Sequence, residues 1–166
     1  MKTLAMASLF LFLTAATAPP APGPLVLRVK TLDGQDRWLT EYLGKVVLLN
    51  FWSTTCPPCR AETPWFVEFQ ERYRDRGLVI LGVSVDDPPE RIKAFMQQYK
   101  VNYPMFDGRA ADDDIQRVTG GMWGLPTTLM IGRDGRLLKK SLGLGSKKAL
   151  ENEIIAALRG ALHGGS

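Results

Sequence analysis

Histidine is nearly missing from this 166-residue chain: the one copy, His163, is the fourth residue from the C-terminus, in a Gly-rich tail. A frayed terminal residue of this kind cannot anchor a catalytic triad or a His-based metal site. Cysteine is almost as scarce, with two copies, Cys56 and Cys59, and two thiolates without a usable histidine leave zinc short of ligands. No basic run is longer than Lys139–Lys140 or Lys147–Lys148, and 21 basic against 17 acidic residues give a net charge of only +4. That is no footprint for nucleic acid. No nucleotide-binding motif and no internal repeat are found. The rest is ordinary: 45% hydrophobic and 23% charged residues, at a length that supports one domain with its own core.

Residues 1–18 (MKTLAMASLFLFLTAATA) carry one charge, Lys2, ahead of an apolar run that fades into small residues. The pattern reads as an export signal with Ala16-Thr17-Ala18 as a cleavage site. Pro19 just after that site suits a signal peptidase poorly, so two expectations stand together: a cleaved signal peptide, or a retained signal anchor near the lower length limit for a membrane span. No cysteine lies close enough for a lipid anchor. Residues 19–24 (PPAPGP) hold four of the eleven prolines and read as an extended, semi-rigid tether. The folded unit is then 25–166, outside the cytoplasm, where dithiols tend to be oxidised.

Within it, Leu25–Thr31 alternates and meets Asp33-Gly34, a hairpin signal ahead of Asp36–Leu39. Val46–Phe51 is an apolar run of strand length, as expected of a central strand covered on both faces. Cys56-Pro57-Pro58 opens a helix, because the first turn tolerates proline. That helix carries Phe66, Phe69 and Tyr73 on one side, is expected to kink at Pro64, and stops at Gly77. Leu78–Val85 reads as a second buried strand and Pro88–Tyr99 as an amphipathic helix with Ile92, Phe95, Met96 and Tyr99 inward. A short strand at Tyr103–Phe106 and a helix at Asp112–Val118 follow, with Asp112, Asp113 and Asp114 as acidic residues at the helix start rather than a cation site. Thr127–Ile131 and Leu137–Leu142 flank a hairpin turn, and Ser146 caps a last helix through Leu162. Strands alternating with helices predict an α/β fold around a mixed sheet.

The chemically informative stretch is Asn50–Pro64 (NFWSTTCPPCRAETP). A CxxC where a buried strand turns into a helix puts the first sulfur at the helix N-terminus, which favours a thiolate, and the second one turn in, within disulfide reach. A bridge closing so small a loop adds little chain-entropy stabilisation, so it is better explained by being made and broken. A structural disulfide, a Cu(I)-binding module and a peroxidatic cysteine are the competing readings. The last requires a proline where this chain has Leu49; the copper reading lacks a third ligand.

VVLLNFWSTTCPPCRAETP together with GLPTTLMIGRDGRLLKKSLG, residues 124–143, resembles the thioredoxin superfamily, and more closely its exported TlpA/ResA/DsbE-like thiol:disulfide oxidoreductases. The resemblance runs from about Leu25 through the domain. It implies a thioredoxin-like fold: a central mixed sheet flanked by helices, an N-terminal β-hairpin, and an αβ insertion from Asp86 to Phe106. It implies further that Cys56 is the nucleophile, Cys59 the buried resolving thiol, and Pro126 the cis-proline beside which the Leu125 backbone stays free to bond an incoming peptide. Glu62 matches the acidic residue kept near the sulfurs, against the plainer reading of a solvated helix carboxylate; Asn50 stands where plain thioredoxin has a buried aspartate. Thr55 replaces the tryptophan usual before the first cysteine, and Trp52 and Trp123 are read as packing under the site.

The function so implied is reduction of specific protein disulfides, for example in cytochrome c maturation or copper-centre assembly, with a disulfide-forming oxidase as the alternative. The partners implied are a disulfide-containing protein substrate and a membrane thiol-transfer protein as electron donor, acting on a monomer. No cofactor beyond the redox-active Cys56–Cys59 disulfide and no metal is called for. Because Pro57 and Pro58 have no N–H to offer the Cys56 sulfur, the couple is expected to lie nearer the thioredoxin end of the scale, roughly −270 mV, than the strongly oxidising end near −120 mV.

Overall fold

The computed structural model describes residues 23–160. The signal segment 1–18, most of the tether 19–24 and His163 lie outside the described residues. Seven strands form one sheet in the order β2-β1-β5-β4-β3-β6-β7. In chain order they are β1 (Arg28–Lys30), β2 (Asp36–Trp38), β3 (Val46–Trp52), β4 (Leu78–Ser84), β5 (Met105–Asp107), β6 (Thr127–Ile131) and β7 (Leu137–Leu142). The helices are α1 (Pro57–Tyr73), α2 (Pro89–Tyr99), α3 (Asp112–Thr119) and α4 (Lys147–Leu158). β3, β4 and β5 run parallel, whereas β6 pairs antiparallel with β3 and with β7, and β1 pairs antiparallel with β2 and with β5. This is the mixed, thioredoxin-like sheet the sequence suggests.

β3 is buried at every position because it has strands on both edges and helices on both faces. Its side chains alternate between two cores. Val46, Leu48 and Trp52 join Phe66, Phe69 and Tyr73 of α1, Ile92 and Phe95 of α2, and Ile154 and Ala157 of α4. Val47, Leu49 and Phe51 point the other way, to Leu27, Leu81, Val83, Phe106, Leu129 and Ile115 and Val118 of α3. Asn50, the one polar residue of the strand, falls by this parity between Leu48 and Trp52 and faces α1.

The insertion has a clear place. α2 covers the α1 face, and β5 slots between β4 and β1, so the N-terminal hairpin joins the sheet through it.

Several boundaries move from their predicted places, each for a local reason. β1 begins at Arg28 instead of Leu25, because the Leu25 amide donates to the Gly135 carbonyl in the β6–β7 turn. β5 begins at Met105 instead of Tyr103; Pro104 has no N–H and offers only its carbonyl, to the Gly82 amide. α1 tightens into a 3-10 turn over Arg74–Arg76 before Gly77, whose φ of 95° ends it. It runs on through Pro64, and the Thr63 hydroxyl bonds the Cys59 carbonyl one turn earlier. α4 stops at Leu158 rather than Leu162, since Gly160 at φ 70° supplies the left-handed residue that closes a helix.

Candidate active site

Cys56 caps α1 in an extended backbone conformation, and its sulfur accepts the Cys59 amide at 3.3 Å. Pro57 and Pro58 occupy the first two helical positions and donate nothing, so this one N–H is the backbone donor the helix start gives the sulfur. Cys56 is half-buried and Cys59 fully buried, an asymmetry that leaves the first sulfur reachable and the second protected. The two form a disulfide with Cα atoms 5.3 Å apart.

The turn from β3 into the helix is compact. The Cys56 amide bonds the Ser53 carbonyl at 3.2 Å, and the hydroxyls of Ser53 and Thr55 lie 3.1 Å apart. Across from it, the antiparallel register sets Phe51 opposite Thr127, which brings Leu125 and Pro126 alongside the end of β3. The Leu125–Pro126 bond is cis. The Pro126 carbonyl accepts the Gly143 amide at 2.8 Å, while the Leu125 amide and carbonyl have no hydrogen bond among the described residues.

Glu62 is not a solvated helix carboxylate: it is only 4% exposed. Three residues beyond Cys59, it lies on the same side of α1, over β3. Asn50 Nδ2 donates to Glu62 Oε1 at 2.8 Å and to Thr128 Oγ1 at 3.0 Å, tying α1, β3 and β6 together beneath the sulfurs. Burial pushes the Glu62 carboxyl up to about 8, and the Asn50 hydrogen bond opposes this without offsetting it. Glu62, Trp65 and Thr128 also line an open cleft bounded by Leu142, Gly143 and α4, which gives the carboxyl a way to exchange protons with solvent. A group of this kind can hold a proton at neutral pH and hand it to, or take it from, a neighbouring thiol.

Trp52 is buried and packs on Phe95 at 4.4 Å, as expected of a residue under the site. Trp123 is a correction: it is 85% exposed, not packed under the site. The loop carrying it is held by other bonds, from Lys140 Nζ to the Gly121 carbonyl and from the Met122 amide to Gln116 Oε1, so its indole is free to face solvent. Leu142 and Leu144 are exposed beyond it. Asp87 and Thr128 were not singled out from the sequence. Only the polar Ser84 closing an otherwise apolar strand hints that a buried acceptor such as Asp87 lies beyond. Among the described residues, no three His, Cys, Asp or Glu side chains gather in a way that could hold a metal ion.

A CxxC disulfide at a helix N-terminus, facing a cis-proline loop across a mixed sheet, defines a thiol:disulfide oxidoreductase of thioredoxin-like fold. Comparison with known proteins places it further. The chain belongs to the AhpC/TSA family, whose model matches residues 19–140. It is 34% identical over 128 residues to the thiol-disulfide oxidoreductase ResA of Bacillus thuringiensis (strain Al Hakam), covering 76% of this chain and 71% of that protein. It is 32% identical over 123 residues to ResA of Geobacillus thermodenitrificans (strain NG80-2), covering 74% and 69%. Among solved structures, a thiol:disulfide interchange protein of the thioredoxin family from Chlorobium tepidum TLS superposes with a TM-score of 0.73 at 30% identity, over 86% of this chain and 99% of that one.

Proposed function

We propose that this thiol:disulfide oxidoreductase works outside the cytoplasm as a reductase of specific protein disulfides, such as those met in cytochrome c maturation or copper-centre assembly. The observation that carries the reading is the single amide donor on the Cys56 sulfur. With Pro57 and Pro58 silent, the thiolate is less stabilised than in a strongly oxidising site, so the dithiol gives up its electrons readily. In the reduced protein, the Cys56 thiolate attacks one sulfur of a substrate disulfide. A mixed disulfide forms, and the other substrate sulfur leaves as a thiolate that takes up a proton. Cys59 then loses its proton to Glu62 and attacks the Cys56 sulfur. The enzyme disulfide closes, the second substrate sulfur leaves as a thiolate that takes up a proton from solvent, and the substrate, now a dithiol, has gained two electrons.

A dithiol donor resets the enzyme by the reverse exchange, with Glu62 returning its proton to Cys59; a membrane thiol-transfer protein fits this role. The substrate segment lies along the Leu125 backbone, whose donor and acceptor have no hydrogen bond among the described residues. Trp123, Leu142 and Leu144 give that segment an apolar rim, supplying the aromatic contact that Thr55 does not. The N-terminal segment exports the domain or tethers it to the outer face of the membrane. No helix among the described residues is long and apolar enough to cross a membrane.

Redox titration against glutathione tests the direction. A couple near roughly −270 mV is expected, and one more oxidising than about −160 mV would make the protein a disulfide-forming oxidase instead. The Cys59→Ala protein, reduced and exposed to disulfide-bearing partners, is expected to stay joined to them through Cys56. Continued turnover with no partner captured would refute the assigned roles.

A further inference from the structure

We propose that Asp87 is a positioning residue for the nucleophile: it holds the turn before Cys56 in the conformation that seats the Cys56 sulfur at the start of α1. The inference rests on Cys56 being the attacking thiol.

Asp87 lies in the link between β4 and α2, and its side chain is buried although it carries a charge. A charged group is buried only where its hydrogen bonds are met. Here both carboxylate oxygens are engaged. Oδ2 accepts the Thr54 amide at 2.7 Å and the Ser84 hydroxyl at 2.8 Å; Oδ1 accepts the Thr54 hydroxyl at 2.5 Å and faces Arg91 Nη1 at 3.4 Å. Ser84 is itself fixed, since its hydroxyl also accepts the Asp87 amide at 3.2 Å. Burial alone would raise this carboxyl, but the Thr54, Ser84 and Arg91 contacts outweigh it and keep it below the usual aspartate value.

Two of these bonds go to one residue, Thr54, which is two positions before Cys56. The remaining side-chain bonds of the turn are short-range, between Ser53 and Thr55. Asp87 is therefore what fixes the middle of the turn to the rest of the domain, from 33 positions away. The neighbouring anchor, the Val85 amide on the Trp52 carbonyl, holds only the strand end. The Cys59 N–H reaches the Cys56 sulfur at 3.3 Å only while Cys56 keeps its cap geometry. If the turn loosens, the sulfur drifts from its one backbone donor and from the helix N-terminus, and its thiolate form is weakened.

The test uses the full-length reduced protein with Thr54→Val, Asp87→Asn and the double substitution. Thr54→Val removes a hydroxyl without changing charge and keeps the backbone donor. Asp87→Asn removes the charge and turns one of the two acceptor oxygens into a donor, so the Thr54 amide and hydroxyl can no longer both donate to it. Two readouts are taken: the rate of oxidation by oxidised glutathione, and the pH midpoint of alkylation at Cys56 by iodoacetamide. Both single variants are expected to slow oxidation by about three- to tenfold and to raise the alkylation midpoint. The double variant is expected to be no slower than the slower single, because the two residues act as one clamp. The other ionisable groups around the turn, Arg60, Glu62, Asp86 and Arg91, are the same in every variant.

A Thr54→Val protein indistinguishable from wild type would overturn the proposal. So would multiplicative effects in the double variant, or a lowered midpoint in Asp87→Asn, which would mean that Asp87 acts through its charge. Thermal unfolding checks the fold, and Thr54→Val carries the test if Asp87→Asn does not fold. Mapping the alkylated cysteine in the wild type keeps the underlying assignment separate: labelling of Cys59 ahead of Cys56 would refute the nucleophile itself, whatever the variants do.

Discussion

Replacing Glu62 by glutamine removes a titration that the fold has displaced. The carboxyl moves from its ordinary 4.5 up to about 8 on burial, so the folded protein keeps a proton that the unfolded chain releases across that interval. The sign follows from proton binding: stability is fully present below about pH 4.5, falls as pH rises through the interval, and levels off above about pH 8. A displacement of this size corresponds to about 5 kcal/mol at ~1.4 kcal/mol per pH unit, of which about 3 kcal/mol is already lost at pH 7. Against a whole-domain stability of about 5–15 kcal/mol this is a large pH dependence from one side chain.

Glutamine keeps the oxygen that accepts from Asn50 Nδ2 and has no charge to bury. Denaturant unfolding of the oxidised protein, wild type against Glu62→Gln, measured in steps from pH 4 to pH 9, is the assay. The variant is expected to gain on the wild type steadily with pH, by several kcal/mol over the range. A stability difference that stays flat across the range would refute the reasoning, since Glu62 would then titrate in the fold as it does in the unfolded chain.

Two further outcomes follow from burial alone. Trp123→Ala is expected to leave stability within about 0.5 kcal/mol of wild type by thermal unfolding, because the indole is 85% exposed, while raising KM for a protein disulfide substrate. An unchanged KM would remove Trp123 from the docking rim. Phe66→Ala, at a fully buried position of α1 between β3 and Tyr103, is expected to lower unfolding stability by about 3–5 kcal/mol; a loss under about 1 kcal/mol would mean that the α1 face repacks freely.

Much of the fold could be read from local pattern. The apolar run at β3 announced a central strand, the paired prolines after Cys56 announced a helix start, and Ser146 announced the cap of α4, whose hydroxyl accepts the Ala149 amide. These signals are local in the chain, so they survive without knowledge of the tertiary fold. What escaped depends on contacts distant in sequence. Glu62 could be placed near Cys59 by helix spacing, but its burial depends on Asn50 and Thr128, 12 residues away and on another strand. Asp87 looks like any loop aspartate until the fold brings Thr54 to it. Trp123 reads as packing under the site because it flanks the proline loop; the loop is pinned by Lys140 and Gln116 instead, and the ring is left outside.

The bond from Leu25 to Gly135 fixes the polarity of the whole domain. Gly135 and Gly44 both meet the chain at the end where β3 begins, since the Gly44 amide donates to Arg133 in the same turn. Cys56 lies just past the other end of β3, whose seven residues at about 3.3 Å each separate the two ends by roughly 20 Å. Pro24 and Leu25 therefore lie at the pole opposite the disulfide. On the proposed function, a tether attached there would leave the reactive end unobstructed, and electron donor and substrate would take turns at the one pole that carries Cys56.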